Sequence, residues 1–152
     1  MTDSVATVVP ASGGRRFDVF SNEIVIKLGS RDTGGRFTLF ATTVPPGQNG
    51  PPRHYHRHED ECFYLLSGRA SFLRDGQWFE ADPGTTVFIP RGVVHTFRNR
   101  GDTPLTLLVH TTPGGIEGFF EGCAEILTAP GGPDPGRLAG IAAEHGIVLL
   151  PS

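Results

Sequence analysis

The sequence predicts an all-β fold in which two antiparallel sheets close into a barrel, with helices near the C-terminus. Three observations support this prediction. About ten short segments alternate apolar and polar residues or are rich in β-branched and aromatic residues. The 152 residues include 21 glycines and 13 prolines, which separate these segments as turns. A three- and four-residue apolar period, typical of helices, begins only after Thr112. Strands separated by such turns are typical of a sandwich or barrel.

The N-terminal part begins with small, polar and glycine-rich residues, so residues 1–14 are predicted to be a flexible segment. The next two apolar runs are short, and the second alternates in the period of a strand. A turn-rich SRDTGG stretch follows and leads to a longer run. The predicted strands of this part are Arg16–Phe20, Glu23–Leu28 and Arg36–Val44.

The middle of the chain carries the clearest hairpin signal, because Asp75-Gly76 stands between two apolar runs. A Pro-Arg-Gly turn at residues 90–92 separates two further runs. The predicted strands here are Ala70–Arg74, Gln77–Ala81, Thr86–Ile89, Val93–Phe97 and Leu105–His110, after a buried strand that contains CFYLL.

The tail is predicted to be helical. Apolar residues recur at helical spacing from Ile116 to Leu127. A second helix begins after Asp134 as N-cap, with Pro135 at its first position, and ends near Gly146. The apolar residues 147–150 should dock on the body. The predicted organisation is therefore a flexible segment (1–14), a β-barrel (15–112) and a C-terminal helical extension packed on the barrel (113–152).

The densest group of chemically active residues lies in RHYHRHEDE, at residues 53–61. Residues two apart on a strand point to the same face, so His54 and His56 share one face. Glu61 lies an odd number of residues from His56, so it joins the two rings only if the chain bends at residues 57–60. Two imidazoles and a carboxylate that converge in this way form most of a divalent-metal site.

A second stretch, GTTVFIPRGVVHTFRN, supplies a third imidazole, that of His95, from a separate strand. Together the two stretches resemble the cupin family. His54, His56, Glu61 and Gly68 match its first motif, G-x5-H-x-H-x4-E-x6-G, although the opening glycine would fall at Gln48. The second motif, G-x5-P-x-G-x2-H-x3-N, is matched by Gly84, Pro90, Gly92, His95 and Asn99. The resemblance implies a jelly-roll barrel, also called a double-stranded β-helix.

The resemblance also implies that His54, His56, Glu61 and His95 bind one divalent transition metal inside the barrel. Histidine and carboxylate ligands suit Fe, Mn, Ni, Co or Zn and do not choose among them. Positions left open on such an ion are typical of a catalytic rather than a structural site. Glu61 is in addition the candidate catalytic base.

The neighbours of these four residues have simpler interpretations. His58 is interpreted as a surface or rim residue, and Glu59 and Asp60 as the solvated side of the corner. By strand parity Phe63, Phe88 and Phe97 are candidates to line the cavity, with core packing as an equal alternative. Gln48 and Arg53 lie near the ligands in sequence and are candidates for substrate contact or plain rim residues.

Among cupins, the chain most resembles the small bacterial quercetin 2,3-dioxygenase-like group. That resemblance implies an oxygenase acting on an aromatic or enolic small molecule. The alternatives are a non-redox metalloenzyme (an isomerase, a decarboxylase or a polyketide-type cyclase) and a binding protein without turnover. Anaerobic turnover would separate the first two classes.

Composition limits the other partners. The 13 Lys and Arg residues are scattered and outnumbered by 16 Asp and Glu, so no nucleic-acid surface is expected. The sequence has no apolar run of membrane-spanning length, and no signal peptide is expected. Cys62 and Cys123 are expected to be isolated thiols in a reducing cytoplasm. Because cupins of this size commonly pair through N-terminal strands, the resemblance implies a homodimer, for which Arg16–Leu28 offers edge strands; a monomer mass by light scattering would contradict it.

Overall fold

A computed structural model of the protein describes residues 4–151. Within them the chain forms eleven strands and three helices. In chain order the elements are β1 (Arg15–Val19), β2 (Asn22–Leu28), α1 (Ser30–Thr33), β3 (Thr38–Val44), β4 (His54–His56), β5 (Asp60–Ser67), β6 (Ala70–Arg74), β7 (Gln77–Ala81), β8 (Thr86–Ile89), β9 (His95–Arg98), β10 (Leu105–Thr112), α2 (Ile116–Leu127), α3 (Pro135–Glu144) and β11 (Ile147–Leu149).

The strands form two antiparallel sheets, which confirms the predicted all-β jelly-roll class. A six-stranded sheet has the order β1-β2-β3-β10-β5-β8, and a five-stranded sheet has the order β11-β4-β9-β6-β7. Strands alternate strictly where one face is buried, as in β3 and β10. The inward side chains of both sheets form one core, in which Val44, Leu105, Leu107 and Val109 are completely buried. Any group on this inner face therefore lies in an apolar, water-poor environment.

The two long helices agree with the sequence prediction. Helix α2 spans the predicted Ile116–Leu127 and buries the apolar residues at helical spacing. At the start of α3 the Asp134 carboxylate accepts hydrogen bonds from the backbone N–H groups of Gly136 and Arg137. Gly146 has φ +68°, as expected for the residue that ends a helix. Helix α2 packs against β1, and α3 packs against α2 and β11.

Two elements were not predicted. A single helical turn, α1, replaces the turn expected at residues 30–35, with Gly34 in the left-handed conformation after it. The tail segment expected only to dock is strand β11, which pairs with β4 through Ile147 opposite His56 and Leu149 opposite His54. The C-terminus is therefore part of the sheet that carries the histidines.

Three other sequence predictions concern the ends and surface of the chain. The predicted flexible segment 1–14 lies partly outside the described residues. In its described part, the carbonyls of Ala11 and Gly13 accept hydrogen bonds from the side chain of Lys27. Cys62 and Cys123 are both free thiols, as expected, and burial raises the pKa of Cys123 to about 11.

Strand β1 is at an edge of its sheet, so pairing of two copies there stays a prediction. No helix within residues 4–151 has the length and apolar character to cross a bilayer.

Candidate metal centre

The structure brings together the four predicted ligands from three strands. His54 and His56 point inward from β4, Glu61 from β5, and His95 from β9. All four side chains are buried. Strands β4 and β9 are neighbours with His54 directly opposite His95, whereas β5 belongs to the other sheet. The cluster therefore joins the two sheets across the interior of the barrel.

The chain bends between His56 and Glu61, as the sequence predicted, and passes there from one sheet to the other. The backbone N–H of Arg57 donates to the Gly146 carbonyl, and that of Gly92 donates to the His56 carbonyl. These hydrogen bonds lie at the end of β4 and connect the corner to the chain at Gly92 and at Gly146. His58 lies on the outer side of this corner and is exposed, as predicted. The bend, rather than an unbroken strand, lets Glu61 face the two histidines.

The candidate ligand atoms converge closely. One oxygen of Glu61, Oε1, lies 2.6 Å from His56 Nε2, and the other, Oε2, lies 3.2 Å from His95 Nε2. The rings of His54 and His95 have centroids 4.4 Å apart. One ligand atom from each of the four residues lies within 4.8 Å of all the others. Such spacing is close to the diameter of about 4.2 Å spanned by opposite ligands of a transition metal, so a single ion fits with a small contraction.

Hydrogen bonds fix which nitrogen of each imidazole is free. The Nδ1 atom of His54 lies 2.7 Å from the Pro52 carbonyl oxygen, and that of His95 lies 2.9 Å from the Val93 carbonyl oxygen. Because a carbonyl oxygen only accepts, both Nδ1 atoms carry the proton. The Nε2 lone pairs of the neutral rings are then left to face the cluster. Such outer partners are typical of histidines that bind metals.

His56 has the same arrangement with a stronger partner. Its Nδ1 donates to Glu59 Oε2 at 3.1 Å, and both side chains are buried. Its Nε2 is buried and lies 2.6 Å from Glu61 Oε1. A lone pair and a carboxylate oxygen this close repel each other unless a proton or a cation lies between them. A cation between His56 and Glu61 would satisfy both groups, so the donor set fits a divalent metal.

The electrostatics of the cluster also favour a cation. Burial lowers the pKa of His54 to about 3, and the nearby His95 and His56 rings add to this effect. Burial also disfavours a charged His56, but Glu61 and Glu59 outweigh it and raise its pKa to about 10, so without a metal Nε2 carries a proton that a bound ion would replace. For Glu61 burial acts upward, yet His56 and His95 hold its pKa well below the ordinary value. Glu61 is therefore ionised at neutral pH, and the site attracts positive charge.

The interpretation of Glu59 as a solvated residue was wrong. Its side chain is buried beneath the corner and supports His56, because the bend that redirects Glu61 also turns Glu59 inward. Asp60 is only half-buried, and its carboxylate accepts from the backbone N–H and the side chain of Arg91. Strand parity does not apply within a corner, so only the structure reveals the role of Glu59.

Replacing Glu59 by leucine is expected to weaken metal binding by about 10- to 100-fold, as is usual for loss of a carboxylate that orients a histidine ligand. Glu59→Gln keeps an acceptor for His56 Nδ1 and should lose less. The matched control is Asp60→Asn at the next position, which contacts Arg91 and not a ligand. Competition with a chromogenic chelator measures the three affinities. Equal affinities in Glu59→Leu and Asp60→Asn would remove Glu59 from the site.

A cavity of about 60 Å³ opens onto three of the four candidate ligands, His54, His56 and Glu61. Phe63 and Phe97 line it, as predicted, but Phe88 does not: it is 59% exposed on the outer face of β8. Val87 and Ile89 take the inward positions of that strand, so the pleat directs Phe88 outward. Gln48 and Arg53, the candidates for substrate contact, are exposed and do not line this cavity.

Two polar residues of the cavity wall were missed by sequence reasoning. Asn22 and Thr42 are buried and line the cavity from β2 and β3. The signal was present, because Asn22 has the parity of the inward Ile24 and Ile26, and Thr42 that of Phe40 and Val44. Helix α2 and strand β11 complete the wall with Ile116, Phe119, Phe120, Ile147 and Leu149.

The central part of the chain is similar to a known protein family. The model of the family described as Cupin domain matches residues 40–111. The quercetin 2,3-dioxygenase of Bacillus subtilis is 33% identical over 91 residues, which are 59% of this chain and 26% of that protein. The chain therefore spans about a quarter of the length of that relative.

Solved structures show the same architecture. A structure described as a sugar phosphate isomerase from a cupin superfamily, from Silicibacter pomeroyi, is 29% identical with a TM-score of 0.52 and covers 60% of this chain and 59% of its own. A Cupin 2 conserved barrel domain protein from Salinispora arenicola has a TM-score of 0.59 at 16% identity, and the match covers 93% of this chain and all of that one. The second likeness concerns the fold alone.

Proposed function

We propose that the protein is a metal-dependent oxygenase acting on an aromatic or enolic small molecule, because residues 40–111 match the family described as Cupin domain. The observation that carries the proposal is the apolar cavity that opens onto His54, His56 and Glu61 of the candidate metal centre. Apolar walls suit a flat aromatic substrate, and the buried donors suit a divalent transition metal at its inner end. The likeness to a quercetin 2,3-dioxygenase supports the same reaction class.

In this proposal His54, His56, His95 and Glu61 hold the metal. A bound divalent ion of redox-active type would supply Lewis acidity and electron transfer to dioxygen. The protein contributes the fixed directions of the four donors, because each imidazole is oriented by a separate acceptor: Pro52, Glu59 or Val93. Rigid donors on strands keep this arrangement during turnover.

Glu61 has a second proposed role as the catalytic base. It is ionised at neutral pH and forms part of the cavity wall, so its carboxylate is within reach of a hydroxyl on a bound substrate. Transfer of that proton to Glu61 would leave an electron-rich enolate, the form of an aromatic enol that reacts with dioxygen. Phe63 and Phe97 line the cavity near this point and exclude bulk water.

The second candidate is a non-redox metalloenzyme such as an isomerase. It is favoured by the likeness to the structure described as a sugar phosphate isomerase. The same carboxylate base and the same ligands serve proton transfer between neighbouring carbon atoms without an oxidant. The two candidates therefore differ in their need for dioxygen rather than in their residues.

The test is turnover of metal-loaded protein with a panel of flavonols and other aromatic enols, in air and under anaerobic conditions. We expect substrate loss in air together with dioxygen uptake, and none without dioxygen. His58→Ala, at an exposed position, should retain the wild-type rate, whereas His95→Ala should lose turnover. Equal turnover without dioxygen would instead support the isomerase class. Binding of the whole panel without turnover would support a binding protein.

A further inference from the structure

The wall of the cavity has an unusual distribution of polar groups. Apart from His54, His56 and Glu61 of the metal centre, its lining among the described residues is apolar except for Asn22 and Thr42. No lysine or arginine takes part in this lining. Both polar side chains are more than nine-tenths buried. They are therefore the two positions away from the metal centre at which the wall can recognise a polar atom of a ligand.

Neither the amide oxygen of Asn22 nor the hydroxyl of Thr42 has a hydrogen-bond partner among the described residues. Five buried side-chain polar atoms lack a hydrogen-bond partner in the described part of the chain, and Asn22 Oδ1 and Thr42 Oγ1 are two of them. A buried polar group without a partner destabilises the folded protein, so such groups are uncommon and call for an explanation. Thr43, the next residue of the same strand, shows the ordinary case, because its hydroxyl bonds to that of Thr106.

The sheet places the two atoms on one face. Thr42 is directly opposite Ile24 in the pairing of β3 with β2, and Asn22 is two residues before Ile24. Asn22 and Thr42 are thus diagonal neighbours, and such residues lie about 7–8 Å apart on an antiparallel sheet. A hydroxyl group placed between them can donate to the amide oxygen and accept from the threonine hydroxyl. One group of the ligand would then satisfy both side chains.

We infer that Asn22 and Thr42 form a hydroxyl-binding subsite, and that the substrate is an uncharged aromatic molecule whose hydroxyl lies away from the atoms that meet the metal centre. The inference rests on the proposed function, since it describes the substrate of the same cavity. The absence of lysine and arginine from the described lining excludes a phosphate or carboxylate at this position, because a buried anion needs a positive partner.

The test compares 2-naphthol with naphthalene as probes, on metal-loaded wild-type protein and on the variant Asn22→Leu with Thr42→Val. Titration measures each dissociation constant, and the ratio of the two isolates the hydroxyl. We expect the preference for 2-naphthol over naphthalene to fall about tenfold in the double variant, which is the size of one well-placed hydrogen bond. Thr43→Val, whose hydroxyl bonds to Thr106 outside the cavity lining, is the matched control and should leave the ratio unchanged.

Thermal unfolding provides a readout that does not depend on any ligand. Because Asn22 Oδ1 and Thr42 Oγ1 have no partner to lose, Thr42→Val and the double variant should unfold at the wild-type temperature or above it. Thr43→Val should unfold lower, since Thr106 loses its partner. A marked drop in the unfolding temperature of Thr42→Val would show that its hydroxyl is structural and would overturn the inference.

The remaining outcomes separate this inference from the proposed function. A ratio that is the same in wild type and double variant would overturn the subsite, and so would failure of wild type to bind either probe. Tighter binding of 2-naphthyl phosphate than of 2-naphthol would overturn the uncharged substrate. If the probes behave as expected but no aromatic enol consumes dioxygen, the oxygenase proposal fails while the hydroxyl-binding subsite stands.

Discussion

Removing the metal with a chelator is expected to lower the thermal unfolding midpoint of this protein by about 10 °C. A ligand that binds only the folded state, present at about 1,000 times its dissociation constant, adds roughly 4 kcal/mol to the free energy of unfolding. For a domain of this size, 1 kcal/mol corresponds to about 2–4 °C. The effect is large because the ligands come from both sheets: His54, His56 and His95 from one, and Glu61 from the other.

Adding the metal back should restore the midpoint in wild type. His95→Ala removes one of the four donors and should show little shift on either treatment. His58→Ala removes an exposed imidazole only four residues from His54 in sequence and should show the full wild-type shift. A wild-type midpoint that is indifferent to chelation and to added metal would mean that no ion connects the two sheets.

The substitution Gly68→Ala is expected to reduce the free energy of unfolding by about 4 kcal/mol or more. Gly68 has φ +81°, a conformation that L-residues avoid. A β-carbon there would also overlap the Pro104 carbonyl oxygen and lie 2.8 Å from the Leu105 α-carbon, both of which are rigid backbone. Chemical denaturation of the purified variant measures the loss.

A matched control separates backbone strain from overlap. Gly76, in the hairpin turn between β6 and β7, has φ +78°, and a β-carbon there meets no atom within 4 Å. Gly76→Ala should therefore reduce the free energy of unfolding only by the cost of the left-handed conformation, about 1–2 kcal/mol. Similar losses in the two variants would show that the contact with Pro104 and Leu105 is easily relieved.

Much of the metal centre could be predicted from the sequence because spacing determines direction on a strand. The alternation of His54 and His56, and the odd step to Glu61, required a bend at residues 57–60, and the chain does change sheets there. The helical period likewise gave α2 its bounds, since the five buried residues of α2 recur at three- and four-residue steps. These predictions depend on local geometry, which the order of residues carries directly.

Other features depend on contacts between distant segments. Glu59 is buried because the corner folds beneath His56, and no periodic rule describes a corner. Strand β11 has three residues, too few to show a period, and it forms because β4 offers it an unpaired edge. Phe88 shows the reverse problem: its shared parity with Pro90 made it a candidate for the cavity wall, but Val87 and Ile89 take the inward positions of that strand.

The family's opening glycine is a further case. The motif places it at Gln48, whereas the structure gives the demanding position to Gly50. A β-carbon on Gly50 would overlap the Phe97 carbonyl oxygen, to which the Gly50 N–H donates at 2.9 Å. The close approach of this loop to β9 requires glycine, and a shift of two residues along the loop supplies it.

The account depends most on the choice of His95 rather than His58 as the third imidazole of the metal centre. The most direct test is the metal content per chain, measured by mass spectrometry on wild type, His95→Ala and His58→Ala purified in parallel without chelator. The account predicts about one ion per chain in wild type and in His58→Ala, and a small fraction of that in His95→Ala. Equal metal content in the two variants, or loss in His58→Ala alone, would contradict it.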